Sequence, residues 1–439
     1  MKNSITKFKF TKTEKSWILY DWANSVYATN IMAAIFPIYF TAVCGQDNIG
    51  MQWWGYGTSI ATLIVALLSP LLGAIGDYRG MKKKFFTFFM FFGVTCTLIM
   101  AIFDNWQMLL VGYVLSYIGY AGSCLFYDSF LTDVTANDRM DKVSSWGYAM
   151  GYIGGSTIPF LISIGILLIM GMDNPIAVKI TVVLTSVWWG IFSIPMLKNV
   201  HQKYYLEAPK NLIDTTFSHI GKTFKDIITN KGLLFFMLAY FCYIDGVGTV
   251  IHMSTSYGET LGLDSTGMIL ALLVTQIVAV PCSIIFGRLA NKIGSIRMIS
   301  IAIGVYFLIC LVGFYMGYSI ESANGSQSAV SKAEILFWIM AFMVGTVQGG
   351  IQALSRSYFS KLIPPSRSNE FFGFFDIFGK FATVVGPFLV STVTFLTGRS
   401  SFGILSLLIL FAMGAVILFL GKNKMRQTEE NILKEKNSL

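Results

Sequence analysis

The chain has 439 residues, of which 54% are hydrophobic, 15% aromatic and 13% charged, with a formal net charge of +9. Soluble globular proteins carry about 25% charged residues, so this chain cannot clothe a globule with polar surface, and a hydrocarbon surround is the alternative. Nucleic acid is not the expected partner of the positive excess, because Lys and Arg fall in short clusters between long apolar runs.

Residues 1–15 are polar and basic (Lys2, Lys7, Lys9, Lys12, Lys15). The apolar run behind them holds Asp21, Trp22 and Asn24 without a cleavage-like site, so it reads as a retained first span rather than a secretory signal. A span needs about 20 mostly apolar residues. Twelve such runs follow one another: 16–43, 53–77, 84–103, 107–133, 144–170, 176–197, 232–256, 266–289, 297–319, 334–361, 371–396 and 401–421. Residues 198–231 are the one long polar connection, with a surface helix expected from apolar residues at helical spacing (Leu212, Ile213, Phe217, Ile220, Phe224, Ile227, Ile228). The expected organisation is therefore an N-terminal segment (1–15), a six-helix bundle (16–197), a linker (198–231), a second six-helix bundle (232–421) and a tail (422–439).

Lys and Arg cluster on one side of these spans. With a cytoplasmic N-terminus, the inside segments carry Arg79 and Lys82–Lys84, Arg139 and Lys142, the linker lysines, Arg288, Lys292 and Arg297, then Lys361 and Arg367 and the basic tail. The outside loops carry only Lys179, Lys332 and Arg399. Both termini are expected in the cytoplasm. The six Cys stand singly, with no CxxC and no paired His, and read as small hydrophobes; neither a metal nor a cofactor is expected.

The halves repeat. Gly73, Asp77, Gly80 and Lys83 recur as Gly287, Asn291, Gly294 and Arg297, at an offset of 214. Gly151 with Pro159-Phe160-Leu161 recurs as Gly379 with Pro387-Phe388-Leu389, at an offset of 228. Parallel repeats of this kind place a substrate site between the halves, near the membrane midplane.

Ionisable groups inside spans are costly and usually face a cavity, and residues at i, i+4 and i+7 share a helix face. Asp21, Asn24 and Ala28 form one stripe in span one; Asp21 either lines a cavity or sits near a helix start, paired with a neighbour. Asp245, Thr249, His252 and Ser256 form a second stripe in span seven, where a desolvated Asp245 suits a proton carrier with His252 as relay partner. Gln348, Gln352 and Arg356 form a third in span ten. The 228 offset maps Asp128 of span four onto Arg356, so the two are expected at equivalent depth in opposite halves. Arg356 then serves either as an interdomain latch or as a fork for a substrate carboxylate. Asp376 and Lys380, at i and i+4 in span eleven, either neutralise each other or free Lys380 for a substrate carboxylate.

Gly-x-x-x-Asp-x-x-Gly-x-x-Lys, at Gly73 to Lys83 between spans two and three, resembles the loop signature of the major facilitator superfamily. Three stretches are similar to its vacuole-effluxer branch: Tyr20-Asp21-Trp22-Ala23-Asn24-Ser25-Val26-Tyr27, Gln352-Ala353-Leu354-Ser355-Arg356-Ser357, and Phe371-Phe372-Gly373-Phe374 with Gly379-Lys380. The resemblance implies an all-α membrane fold of two pseudo-symmetric six-helix bundles. It also implies a conformational gate, at Gly73, Asp77, Arg79, Gly80 and Lys83 with the echo at Gly287, Asn291, Gly294 and Arg297, that locks helices two, three and eleven. Asp133, Asp138, Arg139 and Asp141 are expected either to form a matching network or to be a solvated loop.

No GxSxG, Walker or HExxH motif is present, and an enzyme is not expected. The expected activity is secondary transport of a small polar or zwitterionic solute, an amino acid first, possible in the export direction and coupled to protons through Asp245 or Asp21. The expected setting is a monomer in the plasma membrane. A mover of lipids or amphiphiles, or of sugars or peptides, on the same fold is the first alternative, and a non-transporting sensor or scaffold the second.

Overall fold

The computed structural model describes residues 9–44, 47–171, 174–209, 212–323 and 326–438. Lys2, Lys7 and Lys210, and the side chains of Leu212, Ile213 and Phe217, lie outside the described part. The described chain is helical, and twelve helices are long and apolar enough to cross a membrane: Lys12–Cys44, Gln52–Gly76, Met81–Met100, Trp106–Val134, Met140–Met170, Pro175–Asn199, Lys231–Thr260, Leu270–Ile293, Ser295–Ser322, Gln327–Leu362, Pro365–Thr397 and Ser400–Lys436. They are numbered below as spans one to twelve. Large apolar side chains such as Ile169, Phe395 and Phe419 point outward and stay exposed, as lipid-facing residues do.

Local chemistry sets the ends. Thr11 and Glu14 form a capping box at the start of span one. Gly80 and Gly294, related by the 214 offset, both take positive φ (74° and 95°), which favours glycine; the two turns differ in ψ, −5° at Gly80 before span three and 144° at Gly294 between spans eight and nine. Span one is π-helical over Ala28–Ala34 and span five over Tyr152–Thr157. Each π segment ends shortly before a proline, Pro37 and Pro159, whose missing N–H frees a carbonyl one turn back and loosens the ladder there. Thr29 of the first segment donates to Ser156 of the second at 3.0 Å.

Each bundle has its own core. In the first, Trp17, Tyr20, Tyr27 and Trp189 are fully buried, and Tyr20 and Tyr27 bond Ser123 and Ser116 of span four at 2.8 and 2.7 Å. The linker carries a helix at Leu212–Thr229, whose Ile227 is buried while Phe224 and Ile228 stay half exposed. Residues 422–438 continue the last span as one helix, Ser400–Ser438. Its charged composition ends the apolar run, but Met425, Thr428 and Ile432 are buried at helical spacing, so the amphipathic period outlasts the hydrophobic one.

The halves meet at one end only. Every inter-half hydrogen bond and ion pair among the described residues lies between the middle of the spans and the end that carries the linker and the last helical turns. That end is closed.

Candidate functional site

The site is built where spans one, four, seven, ten and eleven converge above the closed end. Arg356 is buried at its centre. Its Nη1 donates to Asp128 Oδ1 at 2.8 Å and its Nη2 to Asp21 Oδ2 at 3.1 Å. Nε donates to Ser144 Oγ at 3.0 Å. The guanidinium plane lies over Trp17 (4.7 Å) and Tyr148 (4.5 Å). Two carboxylates and two aromatic faces together offset the cost of burying the cation. The pair that the 228 offset predicts is thus in direct contact, from opposite halves.

Beside it lies a cavity of about 230 Å³. Asp128, Gln352, Arg356, Asp376 and Lys380 line it together with Tyr148 and Tyr240. Lys380 is paired with Asp376, and Ser69 of span two donates to the same carboxylate at 2.8 Å. Three acids (Asp21, Asp128, Asp376) therefore face two bases (Arg356, Lys380).

The other predicted residues lie elsewhere. Asn24 is buried, outside the cavity wall. Gln348 is buried near Tyr152. Asp245 is fully buried, but on the flank of span seven: Ile244 faces the cavity, whereas Asp245 packs against Gly386 of span eleven. Its two carboxyl oxygens accept no hydrogen bond, so none joins it to His252, which is exposed. Thr249 donates to the Asp245 backbone carbonyl at 2.7 Å.

Below the cavity, two junctions close the end. In the first, Asp77 sits under span eleven and accepts from the Asn369 and Glu370 backbone N–H groups at 2.9 and 3.0 Å, and from the Asn369 side chain at 2.9 Å. Burial pushes its carboxyl up to about 8, opposed by the Lys82 ammonium and the two backbone donors, and the N-terminal helix dipole favours the charged form further. Lys82 is buried between Asp133 (2.7 Å) and Ser368 (2.8 Å). Lys83, by contrast, caps the end of span six through the Met196 and Val200 carbonyls at 2.8 and 2.5 Å. Arg79 pairs with Glu207 in solvent at 3.7 Å. In the second junction, Asn291 donates to the Asp138 carbonyl at 2.9 Å. Asp141 accepts from Ser357 (2.6 Å), Ser295 (2.9 Å) and Lys361 (2.7 Å). Arg297 lines the vestibule outside it, and Arg139 pairs with Glu14 at 2.7 Å.

Sequence reasoning passed over Trp17, Tyr148, Ser144, Lys82, Lys361 and Asn369. The 228 offset was the available signal for two of them: it relates Asp133 to Lys361 and Asp141 to Asn369, besides Ser129 to Ser357.

A bacterial homologue of the iron transporter ferroportin, solved in an outward-facing state, superposes with a TM-score of 0.68 at 14% identity, covering 94% of this chain and 98% of that one. Twelve spans in two pseudo-symmetric halves define a transporter of the major facilitator superfamily. Within it, the chain belongs to the family described as "Vacuole effluxer Atg22 like", which matches residues 54–430. An "Uncharacterized MFS-type transporter YxiO" of Bacillus subtilis (strain 168) is 45% identical over 421 residues, 93% of this chain and 95% of the relative. "Autophagy-related protein 22" of Eremothecium gossypii is 21% identical over 93% of this chain and 90% of its own.

Proposed function

We propose that the chain is a secondary active transporter of a small polar or zwitterionic solute, an amino acid first, working by alternating access. The observation that carries this reading is the inter-half cavity, where carboxylates (Asp128, Asp376) and cations (Arg356, Lys380) share one wall. An ammonium and a carboxylate on one small molecule meet both signs there. Arg356 takes both roles read from the sequence: it holds Asp21 and Asp128 while the end is closed, and presents its fork to solute when they part.

The acids outnumber the bases by one, so a proton entering with or against the solute balances the set. Asp21 and Asp245 are the proposed carriers. Asp245 is buried, and its carboxyl oxygens accept no hydrogen bond, which supports its place among them. The basic loops gather at the closed end, which supports a cytoplasmic placement of that end and of both termini, in the plasma membrane; the arrangement described here then faces outward. The family description names an effluxer, which supports export.

Thermal shift of the purified chain against amino acids, dipeptides and sugars tests the solute class. Stabilisation by an amino acid, abolished by Arg356→Gln, is expected; stabilisation by a sugar or dipeptide alone sinks the amino-acid reading. Flux in proteoliposomes that ignores both a pH gradient and Asp245→Asn sinks the proton coupling.

A further inference from the structure

The closed end holds a second, larger space. A vestibule of about 1100 Å³ lies between the turn after span eight, the end of span ten and the last helix, against residues 136–141 of the first half. It opens sideways. A groove of about 430 Å³ runs between the start of span nine and the end of span twelve, walled by Ile293, Ile296, Ile301, Leu418 and Phe419. Arg297 and Lys422 line both spaces and stand at their junction. Among the described residues neither has an ion-pair partner, although eight other basic residues of the chain do.

We infer that this junction binds one anionic phospholipid, its acyl chain in the groove and its phosphate between Arg297 and Lys422. The depth of each part argues for that occupant. Ile301 lies within two turns of the start of span nine and Phe419 within one turn of the end of the apolar run 401–421, on helices that rise about 1.5 Å per residue, so the groove is at hydrocarbon level and the two cations at headgroup level. Basic pockets between spans recognise acidic headgroups in this way, and long basic side chains lay their stems along apolar surface. A free phosphate satisfies the cations but leaves Ile301 (50% exposed) and Phe419 (79% exposed) unfilled. A zwitterionic lipid fills the groove but brings its own cation to the two already there.

The consequence lies one turn away. The turn that carries Arg297 also carries Asn291 and Ser295, which bond Asp138 and Asp141 of the other half. A lipid seated on Arg297 braces that turn and favours the closed arrangement. This inference stands whatever the solute is.

The test uses the full chain, delipidated in a nonionic detergent. Phosphatidylglycerol is expected to raise Tm by about 3 °C or more, while phosphatidylcholine and inorganic phosphate leave it unmoved. Arg297→Ala/Lys422→Ala is expected to lose the shift; Lys222→Ala/Lys225→Ala, which removes the same charge from the linker helix, is expected to keep it. An equal shift from phosphatidylcholine (an annular effect), from inorganic phosphate (a bare anion site), or in the Arg297/Lys422 double variant overturns the proposal. If that variant does not fold, Ser300→Trp, which fills the groove and keeps both cations, decides by native mass spectrometry: loss of one retained phosphatidylglycerol supports the site, and unchanged retention refutes it.

Discussion

At the first junction the carboxylate belongs to the end of an even-numbered span: Asp77 reaches across to the start of span eleven, where the facing residue is the neutral Asn369. At the second, the end of span eight carries the neutral Asn291, and the carboxylate is Asp141, on the helix that starts span five. The scaffolds match. Ser129 donates to Asn369 as Ser357 donates to Asp141, and Gly73 packs on the carbonyl of 369 as Gly287 packs on the carbonyl of 141. The ammonium has also changed places, since Lys361 occupies the position symmetric to Asp133, itself held by Lys82. Each junction thus keeps one acid near a helix start and one buried lysine. What the pseudo-symmetry preserves is a backbone approach and a charge complement, and the residue that supplies the charge is free to move.

Lys361 tests this most severely, because its removal leaves Asp141 buried without a cation. Lys361→Met should cost about 3 kcal/mol, read as a fall in thermal stability, and Lys361→Met/Asp141→Asn should recover most of it. No recovery in the double variant would mean that the ammonium acts on something other than Asp141.

The glycines come next. A Cβ at Gly73 would stand 2.4 Å from the Asn369 carbonyl oxygen, with rigid backbone behind it; at Gly287 the nearest atoms belong to the Ser145 side chain, at 2.6 Å, and the facing backbone, the Asp141 carbonyl oxygen, is further off at 2.9 Å. Gly73→Ala should therefore destabilise by about 2–3 kcal/mol and Gly287→Ala by about 1 kcal/mol. Equal effects would erase the asymmetry.

Asp77→Asn keeps one accepting oxygen but turns the other into an amide donor, so one of the contacts to the Asn369 and Glu370 amides at the start of span eleven is lost. The loss should be about 1–2 kcal/mol, seen as roughly tenfold faster hydrogen exchange at the Asn369 and Glu370 amides, the two that Asp77 accepts from. Asn291→Ala, which removes one neutral bond at an exposed position, should change exchange near Met140 by less. Smallest is Arg79→Ala. Its pair with Glu207 is solvated on both sides (67% and 74% exposed), and such pairs contribute within about 0.5 kcal/mol, so neither stability nor exchange should move.

The architecture was legible because hydrocarbon imposes span length and because two internal offsets could be counted. The Asp128–Arg356 contact was legible for the same reason, since a pseudo-twofold axis brings equivalent positions together. Other parts were hidden by helix phase. Of three consecutive lysines, Lys82 turns inward and Lys83 caps span six, a difference of 100° that composition does not carry. The span-seven stripe is a real face of its helix, yet which neighbour it meets depends on how span eleven packs: Ile244 received the cavity and Asp245 received Gly386. Counting along span one also fails past Ala28, where the helix turns π and residues i and i+4 no longer align.

The last helix is a single rod of 39 residues from Ser400 to Ser438, about 58 Å long at 1.5 Å per residue. It acts as a lever whose longer arm is packed in the second bundle and whose tip, through Lys436, rests on Asn137 of the first. A rocking of the bundles by roughly 10° would swing a rod of that length by about 10 Å at its tip. A fluorophore on the last turn, paired with one on the span four–five loop, would report each cycle of the machine as a change in distance, with no label placed in the path of the solute.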